Sequence, residues 1–451
     1  MRQPLICLAA LILLAPATFA QPGAGGVSDA DLADAVTLRG VRAHMAAFQR
    51  VADENGGNRA AGSPGYAASV RYVERTLRGA GYAVQRQPFT VTVTDTVAQT
   101  GRVVGGETLT PLIMDGSPNT DAPLEAPLSV PTTPLGCDAE DFTETRGTVV
   151  LVERGVCTFA TKARYATRAG AVAVLIYNEA AAPADDLFSG TLDDGGASAL
   201  VPTAALTRDE GESLRGQLEG GAVRVTLELR AVTKTVRTAN VIAELPGGVG
   251  NVVMMGGHLD SVPAGPGVND NGSGSAVVLE LALQLARTGD AEGARFAFWG
   301  AEELGLLGSS HYVGGLSPAE LRVIHAYLNF DMLSSPNAAP FAYGDPALTA
   351  LFAEAFAAQN LTLLPDTLGG RSDHAPFEAA GVPVAGLFSG AEGSKSLAET
   401  RSYGGTVVVP YDACYHRACD TLQQTNTPTA RRYLDLMADA AAEAVEALLG
   451  E

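Results

Sequence analysis

The chain has 451 residues, 46% hydrophobic and 18% charged, with a formal net charge of −20. That length exceeds one average domain and allows a large buried core. An excess of 50 acidic over 30 basic residues argues against nucleic acid as a partner, because such binding rests on clustered lysine and arginine; the acidity reads as a solvated surface.

Residues 1–20, MRQPLICLAALILLAPATFA, put one arginine ahead of an apolar run with a small-residue end. This is the layout of a secretory signal peptide, with cleavage expected after Ala20 and a periplasmic or extracellular destination. No later stretch of about twenty residues is apolar and uncharged, so no membrane span is expected in the mature chain. Cys7 lies in the leader, which leaves Cys137, Cys157, Cys414 and Cys419 for an oxidising compartment; chain order pairs Cys137 with Cys157 and Cys414 with Cys419.

After the Gly-rich QPGAGG, apolar spacing predicts a helix over Asp29–Val51, followed by the turn-rich NGGNRAAGSPG. A second helix is expected over Tyr66–Leu77, ending at GAGY, and YAVQRQPFTVTV alternates as a strand does. From about Gln99 to Val232 the texture changes to short β-rich runs, GTVVLVERG, AVAVLIYN and VRVTLELR, with one helical stretch at Phe159–Ala169. This predicts a compact β-rich domain at 97–232, stapled by Cys137 and Cys157 and inserted into an α/β domain formed by 21–96 and 233–451. Beyond TANVIAELPG the segments NVVMMGGH, ARFAFWG, VIHAYLNFDM and PVAGLFSG are nearly continuous apolar runs, with helical stretches such as SAVVLELALQLAR between them. Strands apolar on both faces that alternate with helices predict an α/β fold, with a mostly parallel central sheet flanked by helices.

Three of these strands run into acidic or imidazole side chains: NVVMMGG into His258 and Asp260, ARFAFWGA into Glu302 and Glu303, VIHAYLNF into Asp331. Ligands of open α/β sheets bind beyond the carboxyl ends of the strands, so these groups should meet in one crevice. Asp270, in the Gly- and Pro-rich loop GGHLDSVPAGPGVNDNGSG, can fold back over the same edge. His416 sits in DACYHRACD between two cysteines, and a disulfide there would restrict its imidazole. His44, His311 and His325 read as a helix-surface residue, a residue after an acidic turn and a strand residue; His374, in GRSDHAPF, reads as a shaper of the pocket. Two histidines with several carboxylates suit zinc, and one carboxylate can bridge two ions about 3.5–4 Å apart. Of the neighbours Glu302 and Glu303, one can ligate while the other takes a proton from water. Neither a G-x-S-x-G elbow nor an H-E-x-x-H motif occurs, which speaks against a serine hydrolase and a thermolysin-like protease.

The motifs GGHLDS, GVNDNGSG, WGAEELGLLGS, NFDM, GRSDHAPF and CYH, in that order, resemble the M28 zinc aminopeptidases of the secreted bacterial type. NRAAGSPGY is similar to the family's start, and GTVVLVERGVCTF with AGAVAVLIYN resembles a protease-associated (PA) domain. The resemblance implies a zinc-dependent exopeptidase fold and action on peptides or proteins with a free N-terminus. It implies two zinc ions per chain, one held by His258 and Asp331, the other by Glu303 and His416, with Asp270 bridging them. It further implies Glu302 as general base, Asp260 as hydrogen-bond acceptor from His258, Tyr415 as oxyanion stabiliser, a Cys414–Cys419 disulfide and a cis peptide between Asp270 and Asn271. The alternatives are a carboxypeptidase or dipeptidase on the same dinuclear core and a non-catalytic PA-domain binding protein. Receptors of the superfamily have lost ligands that are all present here, and the carboxypeptidase branch carries a further helical domain where about thirty-five residues follow His416.

Overall fold

Successive side chains of a strand point to opposite faces, so a strand that is apolar throughout needs cover on both. The computed structural model describes residues 31–180, 184–185, 187–188, 190–192, 200–245, 251–289, 292–366 and 368–450. The expected signal peptide at 1–20, with Cys7, lies outside the described residues. The chain divides into two compact units, one running up to Phe89 and resuming at Thr238, the other spanning Thr90–Arg237.

In the first unit four strands run parallel in the spatial order Val384–Phe388, Ile324–Phe330, Val252–His258 and Ala294–Trp299. Phe341–Gly344 pairs antiparallel with Val384–Phe388, and residues 241–244 pair antiparallel with Ala294–Trp299. Alternation divides the side chains as the patterning predicts. Val253, Met255, Phe296, Phe298 and Leu328 join one buried cluster together with residues of the helices Leu38–Asp53, Gly272–Thr288, Pro346–Ala358 and Pro428–Leu449. Met254, Ala297, Trp299 and Tyr327 enter a second cluster with Tyr312 and Phe377. Each of the fully buried Val, Leu, Phe and Met side chains among them contributes about 1.5–3 kcal/mol, which makes the doubly covered sheet a firm base.

The helix Gly272–Thr288 starts where Asn271 accepts a hydrogen bond from the Gly274 N–H. It lies so close to the strand ends that a Cβ at Gly274 would fall 2.1 Å from the Phe330 carbonyl oxygen, and one at Gly257 2.7 Å from the same atom. Glycine at both positions permits that approach. The single helix expected over Asp29–Val51 is instead two, Leu32–Ala35 and Leu38–Asp53. Thr37 takes an extended conformation between them and caps the second by accepting from the Gly40 N–H, so a capping side chain overrides the apolar spacing. The helix expected over Tyr66–Leu77 spans Pro64–Gly79, capped by Ser63.

In the second unit Val149–Glu153, Ala173–Tyr177 and Thr203–Leu206 run parallel, Leu124–Ser129 pairs parallel with the first of them, and residues 112–113 pair antiparallel with the last. The helix Phe159–Ala169 forms as expected. A second helix, Arg208–Gly220, does not fit the expectation of one helical stretch. Its signal is the capping box of Thr207 and Glu210, which satisfies two backbone donors reciprocally. Among the described residues no helix is long and apolar enough to cross a membrane.

Candidate metal centre

Three strand ends and two loops bring the site together, all within the first unit. His258 ends its strand and is 1% exposed. Its Nε2 lies 3.2 Å from Asp270 Oδ1, 3.3 Å from Asp331 Oδ1 and 3.9 Å from Glu302 Oε2. Asp331 follows Phe330 on one neighbouring strand; Glu302 and Glu303 follow Trp299, the register partner of His258, on the other. Asp270, joined to Asn271 by a cis peptide, is steadied by Asp420, whose carboxylate accepts from the N–H groups of Asn269 (2.7 Å) and Asp270 (2.9 Å). His416 stands on the loop closed by the Cys414–Cys419 disulfide, with its Nε2 3.2 Å from Asp270 Oδ2 and 3.0 Å from Glu303 Oε2. Asp270 therefore presents one oxygen to each imidazole.

Donor atoms of His258, Asp270 and Asp331 lie within 4.8 Å of one another, as do those of Asp270, Glu303 and His416, and those of His258, Glu302 and Glu303. Asp331 Oδ1, Asp270 Oδ2 and Glu303 Oε1 are buried and have no well-aligned hydrogen-bond donor; only imidazole nitrogens approach the first two, at 3.3 and 3.2 Å. A buried carboxylate oxygen without a donor is costly unless a cation answers it. Nitrogen and carboxylate donors in this mixture fit zinc.

The second oxygen of Asp331 is held by a buried relay. Trp299 Nε1 donates to the Tyr327 hydroxyl (2.7 Å), Tyr327 to Asn329 Oδ1 (2.8 Å), Asn329 Nδ2 to Ser372 Oγ (2.8 Å) and Ser372 to Asp331 Oδ2 (2.6 Å). Such a chain fixes which oxygen is left for an ion.

Charge crowding is severe in the protein alone. Burial pushes Glu302 well above the usual carboxylate range, opposed by His258 and reinforced by Glu303, Asp373 and Asp331. Glu303 is pushed up to about 7 by burial and the Asp270 charge, and Asp373 to about 7 chiefly by burial. Burial works against the imidazolium of His416, but Glu303 and Asp270 outweigh it and raise the group to about 11. Divalent cations would take the place of these protons.

Asp260 departs from the expected arrangement. Its carboxylate is 3.8 Å from His258 Nδ1, beyond hydrogen-bonding range, while its main-chain carbonyl oxygen lies at 3.2 Å; the carboxylate accepts from the Glu302 N–H instead (3.2 Å). The backbone turn at Asp260 thus meets His258 through its peptide and the glutamate loop through its side chain. Tyr415 stacks on His416 with centroids 3.9 Å apart, and its hydroxyl accepts from Arg371 Nη2 at 3.5 Å.

The remaining histidines stand away from the donor groups. His44 is buried rather than on the helix surface, bonded to Glu280 (3.1 Å) and Tyr72 (2.7 Å), because the helix Leu38–Asp53 turns that face onto Gly272–Thr288. His311 stacks on Phe89, and His325 is exposed on its strand. His374 packs against the Tyr343 ring; from its segment Gly369, Gly370 and Arg371 line the cavity, which corrects the expectation for His374. In that same segment the sequence reading passed over Ser372, and elsewhere it passed over Asn329 and Asp420, whose roles appear only through contacts distant in sequence. The donors open on a cavity of about 830 Å³ whose apolar wall includes Met332, Phe341, Phe388 and Tyr411.

The sequence profile of Peptidase family M28 matches residues 240–441, and that of the PA domain matches residues 122–214. An aminopeptidase of Pseudomonas aeruginosa is 38% identical over 423 residues, covering 87% of this chain and 78% of that protein. A probable lipoprotein aminopeptidase of Mycobacterium tuberculosis is 39% identical over 441 residues, covering 90% of this chain and 85% of that protein. Among solved structures, a zinc aminopeptidase from Bacillus subtilis superposes with a TM-score of 0.73 at 27% identity, covering 92% of this chain and 95% of that one.

Proposed function

The chain belongs to peptidase family M28, and on that premise we propose that it is a dinuclear zinc aminopeptidase that removes N-terminal residues from peptides. His258 and Asp331 hold one ion, Glu303 and His416 the other, and Asp270 serves both. The observation that carries this reading is the carboxylate of Asp270, with one oxygen 3.2 Å from each imidazole and a further carboxylate beside each. When bound, zinc polarises the scissile carbonyl and makes water acidic enough to react near neutral pH.

The side chains of the protein supply the rest. Glu302, left outside the two ligand sets, accepts the proton of the attacking water and returns it to the departing amine; its Oε2 is 3.9 Å from His258 Nε2, at the edge of the donor cluster. Tyr415 donates its hydroxyl hydrogen to the carbonyl oxygen as negative charge develops there, steadied by the neighbouring Arg371. Asp260 orients both His258 and the loop of Glu302. Surplus carboxylates attract a protonated N-terminus, and the apolar wall receives its side chain.

We assign residues 97–232 to an inserted PA domain and 21–96 with 233–451 to the peptidase domain; the two profile matches fall inside these bounds, and the two compact units support the same order with the breaks a few residues outside them, after Phe89 and after Arg237. Export after removal of residues 1–20 is supported by the Cys137–Cys157 and Cys414–Cys419 disulfides.

The test is elemental analysis combined with Glu302→Gln. The natural chain is expected to carry two zinc ions and to cleave free-amine anilides but not their N-acetylated forms. Glu302→Gln should keep both ions and lose turnover by about 10²–10⁴-fold. An active variant would remove Glu302 from the role, and preference for the acetylated substrate would favour the carboxypeptidase alternative.

A further inference from the structure

Arg59, in the turn-rich GGNRAAGSPG, is almost two hundred positions from the metal-binding motifs, yet its side chain is wholly buried. Its Nε donates to the carbonyl oxygen of Pro266 (2.9 Å), its Nη2 to that of Gly267 (2.5 Å) and its Nη1 to that of Leu259. The backbone adds two bonds to the same loop: the Arg59 N–H donates to Ser261 Oγ (3.0 Å), and the Ser261 N–H donates to the Arg59 carbonyl (3.3 Å). The guanidinium carbon also lies 5.2 Å from the centre of the Phe48 ring. Every acceptor of the side chain belongs to residues 259–267, the segment that leaves His258 and delivers Asp270.

We propose that Arg59 is a positioning residue for the metal centre: by tying the start and the end of this loop to one planar cation, it sets where the Asp270 carboxylate falls between His258 and His416. The proposal rests on the dinuclear reading and adds to it a residue outside the ligand set. Asp420 holds the Asn269 and Asp270 N–H groups, while Arg59 holds the carbonyl groups that precede them, so the loop is gripped from both ends of its peptide dipoles. A guanidinium suits three carbonyls spread across a plane, because its donors are set in a rigid fork. A lysine ammonium gathers its donors at one point and cannot span them. The cation has a second effect. Asp260, Asp270, Glu303 and Asp420 all act on Arg59 through their charges, so it offsets part of the acidic excess around the site while leaving every donor free for an ion.

The test compares the full-length natural chain with R59A and R59K by chelator competition for zinc. R59A is expected to weaken zinc at least about tenfold, the scale on which partners of metal ligands act. With zinc in excess, kcat should fall while KM stays within a factor of about two. Methylguanidinium added to R59A should restore tight zinc binding, and R59K should bind as weakly as R59A without it. Zinc binding as tight as that of the natural chain in either variant would overturn the proposal, and so would a loss that methylguanidinium leaves unchanged, since that marks general damage. If R59A does not fold, zinc binding by R59K decides the matter. A natural chain that binds no zinc would count against the dinuclear reading itself, whereas a natural chain that binds zinc no better than R59K counts against Arg59 alone.

Discussion

His258 is 1% exposed at the end of a central parallel strand, whereas the His416 side chain is 36% exposed on a disulfide-closed loop with a left-handed φ of 58°. The two imidazoles face the same carboxylate at the same distance, so their chemistry is matched while their construction differs. The first is fixed by a sheet covered on both sides, whose register puts it beside Trp299. The second depends on a short cross-link and on stacking with Tyr415. The dinuclear site proposed above would have one half as stable as the core and another as stable as a loop.

The largest expected effect breaks the comparison outright. His258→Ala should empty both positions, because it removes the core-held imidazole that faces one oxygen of the shared Asp270 carboxylate; His416→Ala should retain about one zinc per chain, with loss of the several kcal/mol that a second ion contributes to the transition state. Elemental analysis and turnover of the two variants decide this, and equal zinc loss in both would show the halves to be equivalent. A smaller effect sharpens it. Replacing Cys414 and Cys419 by serine should weaken only the His416 half, by about tenfold in zinc affinity, and leave the other ion in place. Zinc titration monitored by calorimetry should then resolve two unequal steps.

A separate effect, read on stability rather than on zinc or turnover, concerns pH and the zinc-free chain. Glu303 and Asp373 have folded values raised to about 7, and His416 to about 11, all above their ordinary values. The folded state therefore holds more protons than the unfolded state, and stability falls as pH rises. The two carboxyl groups lose their contribution between about pH 4 and 7, at up to about 1.4 kcal/mol per pH unit for each group, and His416 extends the decline above that. Melting temperatures of the zinc-free protein should drop from pH 5 to pH 8. Those of the zinc-loaded protein should not, and a flat zinc-free profile would mean that the carboxylates are already balanced without metal.

Much of this was legible in the chain because its signals are local. Apolar runs ending in His258, Glu302 and Asp331 announce strands whose carboxyl ends share an edge, and the glycines after His258 announce a loop able to return Asp270 to it. What escaped had no local signal. Arg59 reads as part of a turn until the fold carries it to Leu259, Pro266 and Gly267, and Ser372 is masked by His374, two residues on and the more conspicuous side chain. The broken first helix shows the reverse case, in which Thr37 held a readable capping signal that the apolar spacing concealed.

The relay that ends on Asp331 begins at Trp299, the single tryptophan of the chain, fully buried and three residues before Glu302. The molecule thus carries its only indole chromophore at the foot of the metal centre proposed for it. Ultraviolet fluorescence of the unlabelled protein will report on the packing beneath that centre with no competing emitter of the same kind, so loosening there can be followed optically apart from changes elsewhere.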